Sequence, residues 1–302
     1  MKKLLSLLLC AMLALCLLPA SADGLTLTDM MDRTVELPAP AAKVVAVTAS
    51  NVEILYALGA GDTVIGRGEY CDYPAEVMDK PVVKSGTELN VEELVALKPD
   101  LVIMDAMGQS SEQVAALENA GLKVLITKEA GIDGVYDAIS LIGAAVGKTE
   151  EADALNASLK DRFAKVAEAA VQSDLSVYFE ISPLQYGLWT AGKGTFMDEI
   201  ASMLGLKNAF GDLDGWQGVS QEQVIERNPA VIVTTGFPTE TMTAAQEIAA
   251  REGWQVIDAV KNGAIFNADS NEFTRPGPRL ADAAEHLLTF LQQMSEAVQP
   301  AA

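Results

Sequence analysis

Apolar residues in this chain fall into short runs that alternate between two periods. Val44-Val-Ala-Val-Thr48 is a near-continuous apolar run of strand length, and Val52–Leu58 behind it reads as a helix that stops at Gly59. Ser50-Asn-Val-Glu53 has the spacing of a capping box at the start of that helix. Thr63–Gly66 and Leu101–Met104 predict the next strands, followed by a helix near Ser111–Ala120, a strand over Lys123–Thr127 and a helix over Val135–Val146. Ahead of them, Leu25 to Leu37 alternates polar and apolar positions around Asp29–Arg33, which predicts a small β-hairpin. Strands that alternate with helices imply a mostly parallel sheet with helices on both faces.

Thr149 to Gln172 contains no proline or glycine and is rich in Ala, Leu, Glu, Asp and Lys, so it predicts one helix of about six turns. The pattern then restarts with Ser176-Val-Tyr-Phe-Glu180 and a helix over Phe196–Leu204, and ends with a strand over Ala264–Asn267 and an amphipathic helix over Pro278–Met294. Two stretches are near copies. Asn90-Val-Glu-Glu-Leu-Val-Ala-Leu-Lys-Pro99 matches Ser220-Gln-Glu-Gln-Val-Ile-Glu-Arg-Asn-Pro229, and each runs into an apolar strand. Glu53-Ile54 and Glu199-Ile200 match as well, and Leu58-Gly59 resembles Leu204-Gly205. A unit repeated in order implies two similar α/β lobes. The expected organisation is a leader over 1–22, an N-terminal lobe over 23–148, a connecting helix over 149–173 and a C-terminal lobe over 174–302. One helix spanning both lobes resists bending, so small rocking is expected rather than wide hinge opening.

Charge and cysteine usage narrow the class. Lys2 and Lys3, the apolar run Leu4–Leu18 and Pro19-Ala-Ser-Ala22 have the form of a secretory signal with cleavage before Asp23. Cys16 offers a competing reading, as a lipid attachment site. Removing residues 1–22 takes away two lysines and no acids, which leaves 19 basic against 42 acidic residues, a formal charge of −23. Such a surface repels nucleic acid and anionic membrane. Cys71 is then the sole cysteine, so no intrachain disulfide is possible.

Little in the chain suits catalysis. Its single histidine, His286, lies on the polar face of the closing helix, which argues against a zinc site and against a Ser–His–Asp triad. Gly187-Leu-Trp-Thr-Ala-Gly192-Lys193 fits the first seven positions of a P-loop, but the eighth is Gly194 where a hydroxyl is needed to hold magnesium. A tight turn with Thr195 capping the next helix is the expected role. Tyr70, Tyr73, Trp189, Trp216, Phe273 and Arg275 gather in predicted loops at strand ends, where open α/β sheets bind ligands. A flat aromatic wall with one arginine suits a large, partly apolar ligand bearing acidic or amide groups. Trp254 reads as core. Glu92 and Glu222 occupy equivalent places in the two repeats. Either they serve only the helix dipole, or they form a matched pair of docking points.

These motifs resemble the solute-binding proteins of bacterial ABC importers for cobalamin and ferric siderophores. The resemblance rests on Thr28-Asp29 with Arg33-Thr-Val-Glu-Leu-Pro38, on Val44–Leu58 with Asn51 and Glu53, and on Tyr70-Cys-Asp-Tyr-Pro74. Leu97-Lys-Pro-Asp-Leu-Val-Ile103, Thr190-Ala-Gly-Lys193 and Arg275-Pro-Gly-Pro-Arg279 extend it over residues 25–292. It implies two mostly parallel sheets flanked by helices, one long connecting helix, a ligand between the lobes, and contact of Glu92 and Glu222 with arginines of the permease. It also implies that Tyr70, Trp189, Trp216 and Arg275 fall at ligand-contacting positions. Four positions depart from the pattern: Gly86 and Asp105 replace tryptophans of the cobalamin subgroup, Asn271 an aspartate, and Asp32 a glycine of the opening hairpin.

The sequence therefore predicts a non-enzymatic extracytoplasmic binding protein. It captures a ferric siderophore or corrinoid-like chelate and delivers it to an ABC permease and its ATPase. The expected ligand residues are Tyr70, Trp189, Trp216, Phe273 and Arg275. No catalytic residue, protein-bound metal or cofactor is expected, and the protein is expected to act as a monomer, either periplasmic or attached to the outer face of the cell membrane. Haem binding in the same family, a hydrolase on the same bilobal fold, and an adaptor for another protein are the alternatives.

Overall fold

The structure, a computed structural model, describes residues 24–108, 110–170, 174–236 and 241–298. The predicted leader lies outside the described residues.

The chain opens as the predicted hairpin, β1 (Leu25–Thr28) paired antiparallel with β2 (Thr34–Leu37). Asp29 organises it. Its Oδ1 accepts from the backbone N–H groups of Met31 and Arg33, and its Oδ2 accepts from Ile126, which ties the turn to the main sheet. Asp32 sits in the left-handed region at φ 58°, which accounts for the family's glycine there.

The first lobe then alternates. β3 (Val44–Ala46) leads to α1 (Ala49–Ala57), β4 (Val64–Gly68), β5 (Val82–Val83), α2 (Val91–Leu97), β6 (Leu101–Asp105), α3 (Ser111–Asn119), β7 (Val124–Thr127) and α4 (Ile132–Ala145). The five strands form one parallel sheet in the order β5-β4-β3-β6-β7. β3 and the first four residues of β6 are buried on both faces, so the sheet lies between helix layers.

α5 (Thr149–Ala169) is the predicted connector, 21 residues and about 31 Å long. It packs on α4, on α6 (Phe196–Met203) and on the closing helix α11 (Leu280–Val298). Arg162 in its middle is held by Asp282 at 2.5 Å and Glu285 at 2.7 Å, both on that closing helix.

The second lobe repeats the first. β8 (Ser176–Glu180) is followed by β9 (Leu188–Ala191), then α6, β10 (Lys207–Asn208), β11 (Trp216–Val219), α7 (Gln221–Arg227), β12 (Val231–Thr234), α8 (Ala244–Ala250), α9 (Asp258–Lys261), β13 (Ile265–Asn267) and α10 (Ser270–Thr274). Its parallel sheet runs β10-β8-β12-β13, the order that β4-β3-β6-β7 follows in the first lobe. The hairpin β9–β11 is an insertion that lies outside this correspondence.

The two copied stretches fold alike. Asn90 caps α2 by accepting from the N–H groups of Glu92 and Glu93, and Ser220 caps α7 in a capping box with Gln223. Both helices bury one leucine-sized residue, Leu94 or Val224, and both end in a left-handed residue, Lys98 at φ 51° or Asn228 at φ 43°, just before the proline.

Candidate functional site

In parallel sheets ligands collect at the carboxyl ends of the strands. Here segments that follow strands of the two lobes meet across the lobe boundary. The loop after β4 carries Tyr70 and Asp72, and the segment after α10 carries Arg275. The Arg275 guanidinium bonds to Asp72 at 2.6 Å, to Glu53 on α1 at 3.0 Å and to the Tyr70 carbonyl at 3.2 Å. Arg279 adds two bonds to Glu53, at 2.7 and 2.8 Å, and lies over the Tyr73 ring with 4.1 Å to its centroid. Arg275 holds the Asp72 carboxyl below its usual range, and Glu53 raises Arg279 further above its own. These contacts make an interlobe clasp.

A second contact joins the lobes elsewhere. Glu199 on α6, at the position that matches Glu53 on α1, accepts from the backbone N–H of Ile132 at 2.7 Å, at the first turn of α4. Each lobe's matched glutamate is thus engaged by the other lobe. The expectation that Glu53 closes a capping box needs correcting. The helix cap falls two residues earlier, at Thr48 rather than Ser50, without a side-chain cap, and the Glu53 carboxylate turns to the arginines instead.

The predicted ligand residues divide into three groups. Tyr70 (74% exposed) and Trp189 (46% exposed) keep their rings in solvent. Trp216 lies on the same face of the β9–β11 hairpin as Trp189, because Trp189 pairs with Gly218 and Trp216 with Ala191. The Trp216 ring is half-buried, 5.2 Å from that of Phe196, so it backs the wall as well as facing it. Phe273 does not belong. It is fully buried, packs edge-on against Phe266 at 6.0 Å, and offers no face to a ligand. The Arg275 guanidinium is occupied by Glu53, Asp72 and the Tyr70 carbonyl, so its place in this structure is in the clasp.

Two residues were missed by sequence reasoning. Met107 after β6 (70% exposed) and Tyr186 after β8 (76% exposed) are large apolar side chains left in solvent at strand ends. Their signal was available, since each sits in a loop immediately following a predicted strand. Large apolar side chains are thus exposed in loops after strands of both lobes.

A separate cavity of about 880 Å³ lies on the connecting-helix side of the clasp, lined by Glu53, Tyr56, Tyr73, Leu159, Arg162 and Arg279 among others. None of the five predicted ligand residues lines it.

The enzyme-like features have structural roles. In the P-loop lookalike, the Gly192 N–H donates to the Gly215 carbonyl, the Lys193 N–H to the Leu213 carbonyl and the Gly194 N–H to Asp198, so no nest of free N–H groups is left for a phosphate. Thr195 caps α6 as expected. His286 is exposed, 2.9 Å from Glu272. Among the described residues no group of three or more His, Cys, Asp or Glu side chains is placed to hold a metal ion, and no helix is long and apolar enough to cross a membrane. Trp254 is core, and Cys71 is free and buried, with its thiol pushed up to about 12 by desolvation. Glu92 and Glu222 are both exposed in first helical turns. The Glu222 carboxyl is held below its usual range by its own backbone N–H and the Ser220 hydroxyl.

Comparison with known proteins agrees with this geometry. Residues 44–272 match the family described as periplasmic binding protein. The chain is 36% identical over 270 residues to an uncharacterised ABC transporter substrate-binding lipoprotein, YvrC, of Bacillus subtilis, covering 87% of this chain and 83% of that one. It is 30% identical over 260 residues to the vitamin B12-binding protein of Salmonella typhimurium, covering 84% and 92%. A solved structure of an ABC-type Fe3+-hydroxamate transport system from Saccharomonospora viridis superposes with a TM-score of 0.74 at 25% identity, covering 88% and 98%.

Proposed function

The chain belongs to the periplasmic binding protein family, and from that premise we propose that it captures a metal chelate, a ferric siderophore or a corrinoid, in the crevice between its lobes. It is an extracytoplasmic solute-binding protein of an ABC importer and not an enzyme; its partner is the ABC permease. The observation that carries the proposal is the exposure of Tyr70 and Met107 on one lobe with Tyr186 and Trp189 on the other. Rings facing solvent at the carboxyl ends of two opposed sheets have no use in the core, and each offers a flat, weakly hydrated surface to a large planar or globular chelate.

The interlobe clasp supports a binding site that is formed before the ligand arrives. Arg275 fixes the Tyr70 backbone, so ordering that ring on binding costs little. Glu92 and Glu222, one per lobe, fit the role of docking points for the permease. The protein acts as a monomer, exported and kept outside the cytoplasmic membrane.

Intrinsic tryptophan fluorescence tests the reading. Cobalamin, haemin and ferric siderophores of the hydroxamate and catecholate classes are titrated in turn. At least one is expected to quench fluorescence along a single-site curve with a Kd of about 1 µM or tighter, unchanged in composition after incubation. Replacing Trp189 by alanine is expected to weaken that ligand by about tenfold, close to the value of one lost stacking partner. Turnover of the bound compound, or no saturable binding by any of them, would overturn the proposal.

A further inference from the structure

At the carboxyl ends of β3, β6 and β7 the first lobe keeps a set of polar groups that its own fold does not complete. Glu129, just past β7, is 3% exposed, and neither of its carboxyl oxygens is met at full hydrogen-bond geometry, although Asp105, Thr127 and its own backbone N–H lie close enough to act on its charge. Asp105, the last residue of β6, is half-buried beside it; its Oδ1 accepts from the Met107 N–H at 2.7 Å. The register that sets Asp105 opposite Thr127 brings the two carboxyls within hydrogen-bonding reach. The Thr127 hydroxyl turns away to Asn51 Oδ1 at 3.1 Å and to the Met104 carbonyl at 3.3 Å. That leaves Asn51 Nδ2, on a fully buried residue, unpartnered, and Thr48 Oγ1 is unpartnered as well.

Buried polar atoms are nearly always hydrogen-bonded, so four orphans in one patch ask for a missing partner. The patch lies at the strand ends beside Met107, on the crevice side of the sheet. Its net charge decides what that partner is. Among the described residues no basic side chain pairs with either carboxyl. The other charged groups near Glu129 are Lys128, whose side chain is exposed, Asp133 in the first turn of α4, and Glu199, whose carboxylate is committed to the N–H of Ile132. An uncompensated negative charge in a part-desolvated crevice is worth more to a ligand than a single neutral hydrogen bond.

We infer that Asp105 and Glu129 form a cation subsite, which receives an ammonium group carried by the chelate. The inference rests on the binding-protein reading and names the substrate class of that same crevice. Glu129 and Asp105 accept from the ammonium N–H groups, and Asn51 Nδ2 donates to an oxygen of the same arm of the ligand. Burial first, and the Asp105 carboxylate second, push the Glu129 carboxyl up to about 9, so at neutral pH Glu129 holds a proton. An incoming ammonium replaces that proton. The sign follows: affinity for the cationic ligand rises with pH through neutrality, approaching tenfold per pH unit below the raised Glu129 value, and levels off above it.

The test uses a matched pair of probes, the ferric trihydroxamate ferrioxamine B, which ends in one free ammonium, and its N-acetylated form, which has none. Both are titrated against the full chain at pH 6, 7 and 8 by tryptophan fluorescence. The ammonium form is expected to bind at least about tenfold tighter at pH 8, with a preference that grows with pH. Glu129→Gln keeps the shape of the protonated acid, and is expected to flatten the pH dependence while the N-acetylated form binds as before. Asp105→Asn is expected to remove the preference. Equal affinity for the two probes, or a preference that survives both substitutions, overturns the subsite and leaves the binding-protein reading standing. Saturable binding of cobalamin, haemin or a catecholate, with no binding of either hydroxamate, also overturns the subsite alone. No binding of any chelate overturns both.

Discussion

Reversing the charge of Glu92 and Glu222 together should abolish uptake of the cargo by whole cells while the Kd of the isolated protein changes by less than about twofold. The two glutamates are exposed and sit in equivalent first turns of α2 and α7, each on a helix whose cap and terminating residue are also matched. Among the described residues neither carboxylate pairs with a basic side chain; Glu222 gives up only local bonds from its own N–H and the Ser220 hydroxyl, so the substitution breaks no tertiary contact. If each meets an arginine of the permease, losing both charge-assisted bonds costs about 1.5–3 kcal/mol per site, and the introduced like charges add repulsion of several kcal/mol. The sum suffices to suppress docking by several orders of magnitude. Single reversals should reduce uptake partly. Glu112→Arg is the control, an exposed first-turn carboxylate on α3 that the second repeat does not match. Normal uptake in the double variant would remove the docking role and return both residues to service of the helix dipole.

Removing the charge of Glu53 should loosen the protein more than any other conservative change at the lobe boundary. Glu53 is buried, and its carboxylate takes three hydrogen bonds from Arg275 and Arg279, whose side chains are also largely buried. Breaking one partner of a buried pair leaves the other charges uncompensated, at a cost of about 3–5 kcal/mol in comparable sites. Arg275 retains Asp72 and both guanidinium groups keep some solvent, so we expect about 2–3 kcal/mol for Glu53→Gln. The thermal midpoint should fall by about 5–10 °C. A structural effect should accompany it: a larger radius of gyration by solution X-ray scattering, because the clasp is what draws the loop after β4 to the second lobe. Glu285→Gln, after which Arg162 keeps Asp282, should do neither. A Glu53→Gln protein with wild-type midpoint and dimensions would show that α5 alone sets the lobe angle.

The matched position Glu199 repeats this logic in weaker form. It accepts a backbone N–H rather than two guanidinium groups, so its amide analogue keeps an acceptor and loses less. That both members of a sequence match 146 positions apart cross the same boundary explains the match: duplicated lobes that face each other place duplicated residues on the facing surface.

Most of the scaffold was legible because it rests on short-range rules. The alternation at Leu25–Leu37, the apolar runs, and the caps at Asn90, Ser220 and Thr195 each act within a few residues, and the repeat fixed two lobes before any contact was known. What escaped depends on register and on partners far away in sequence. Ser50–Glu53 satisfies the spacing of a capping box, but two arginines over 220 positions away compete for the carboxylate and win, because a charged partner outweighs one backbone N–H. Phe273 sits in a loop-like string beside Arg275 and looked exposed; α10 turns it inward against Phe266. The hairpin that puts Trp189 and Trp216 on one face joins strands 24 residues apart with α6 between them, and no local turn announces it. Asp105 and Glu129 meet only because parallel strands align Asp105 with Thr127.

The claim on which the rest depends is that cargo sits between the lobes, on the side where Tyr70 and Trp189 are exposed. Crystals of the complex with whichever chelate saturates the fluorescence titration decide it, through an anomalous difference map at the absorption edge of the cargo's iron or cobalt. The account predicts a single peak in the crevice, flanked by Tyr70 and Met107 from one lobe and Tyr186 and Trp189 from the other. A peak in the cavity behind Glu53 and Arg279, or on the outer surface of one lobe, would contradict it.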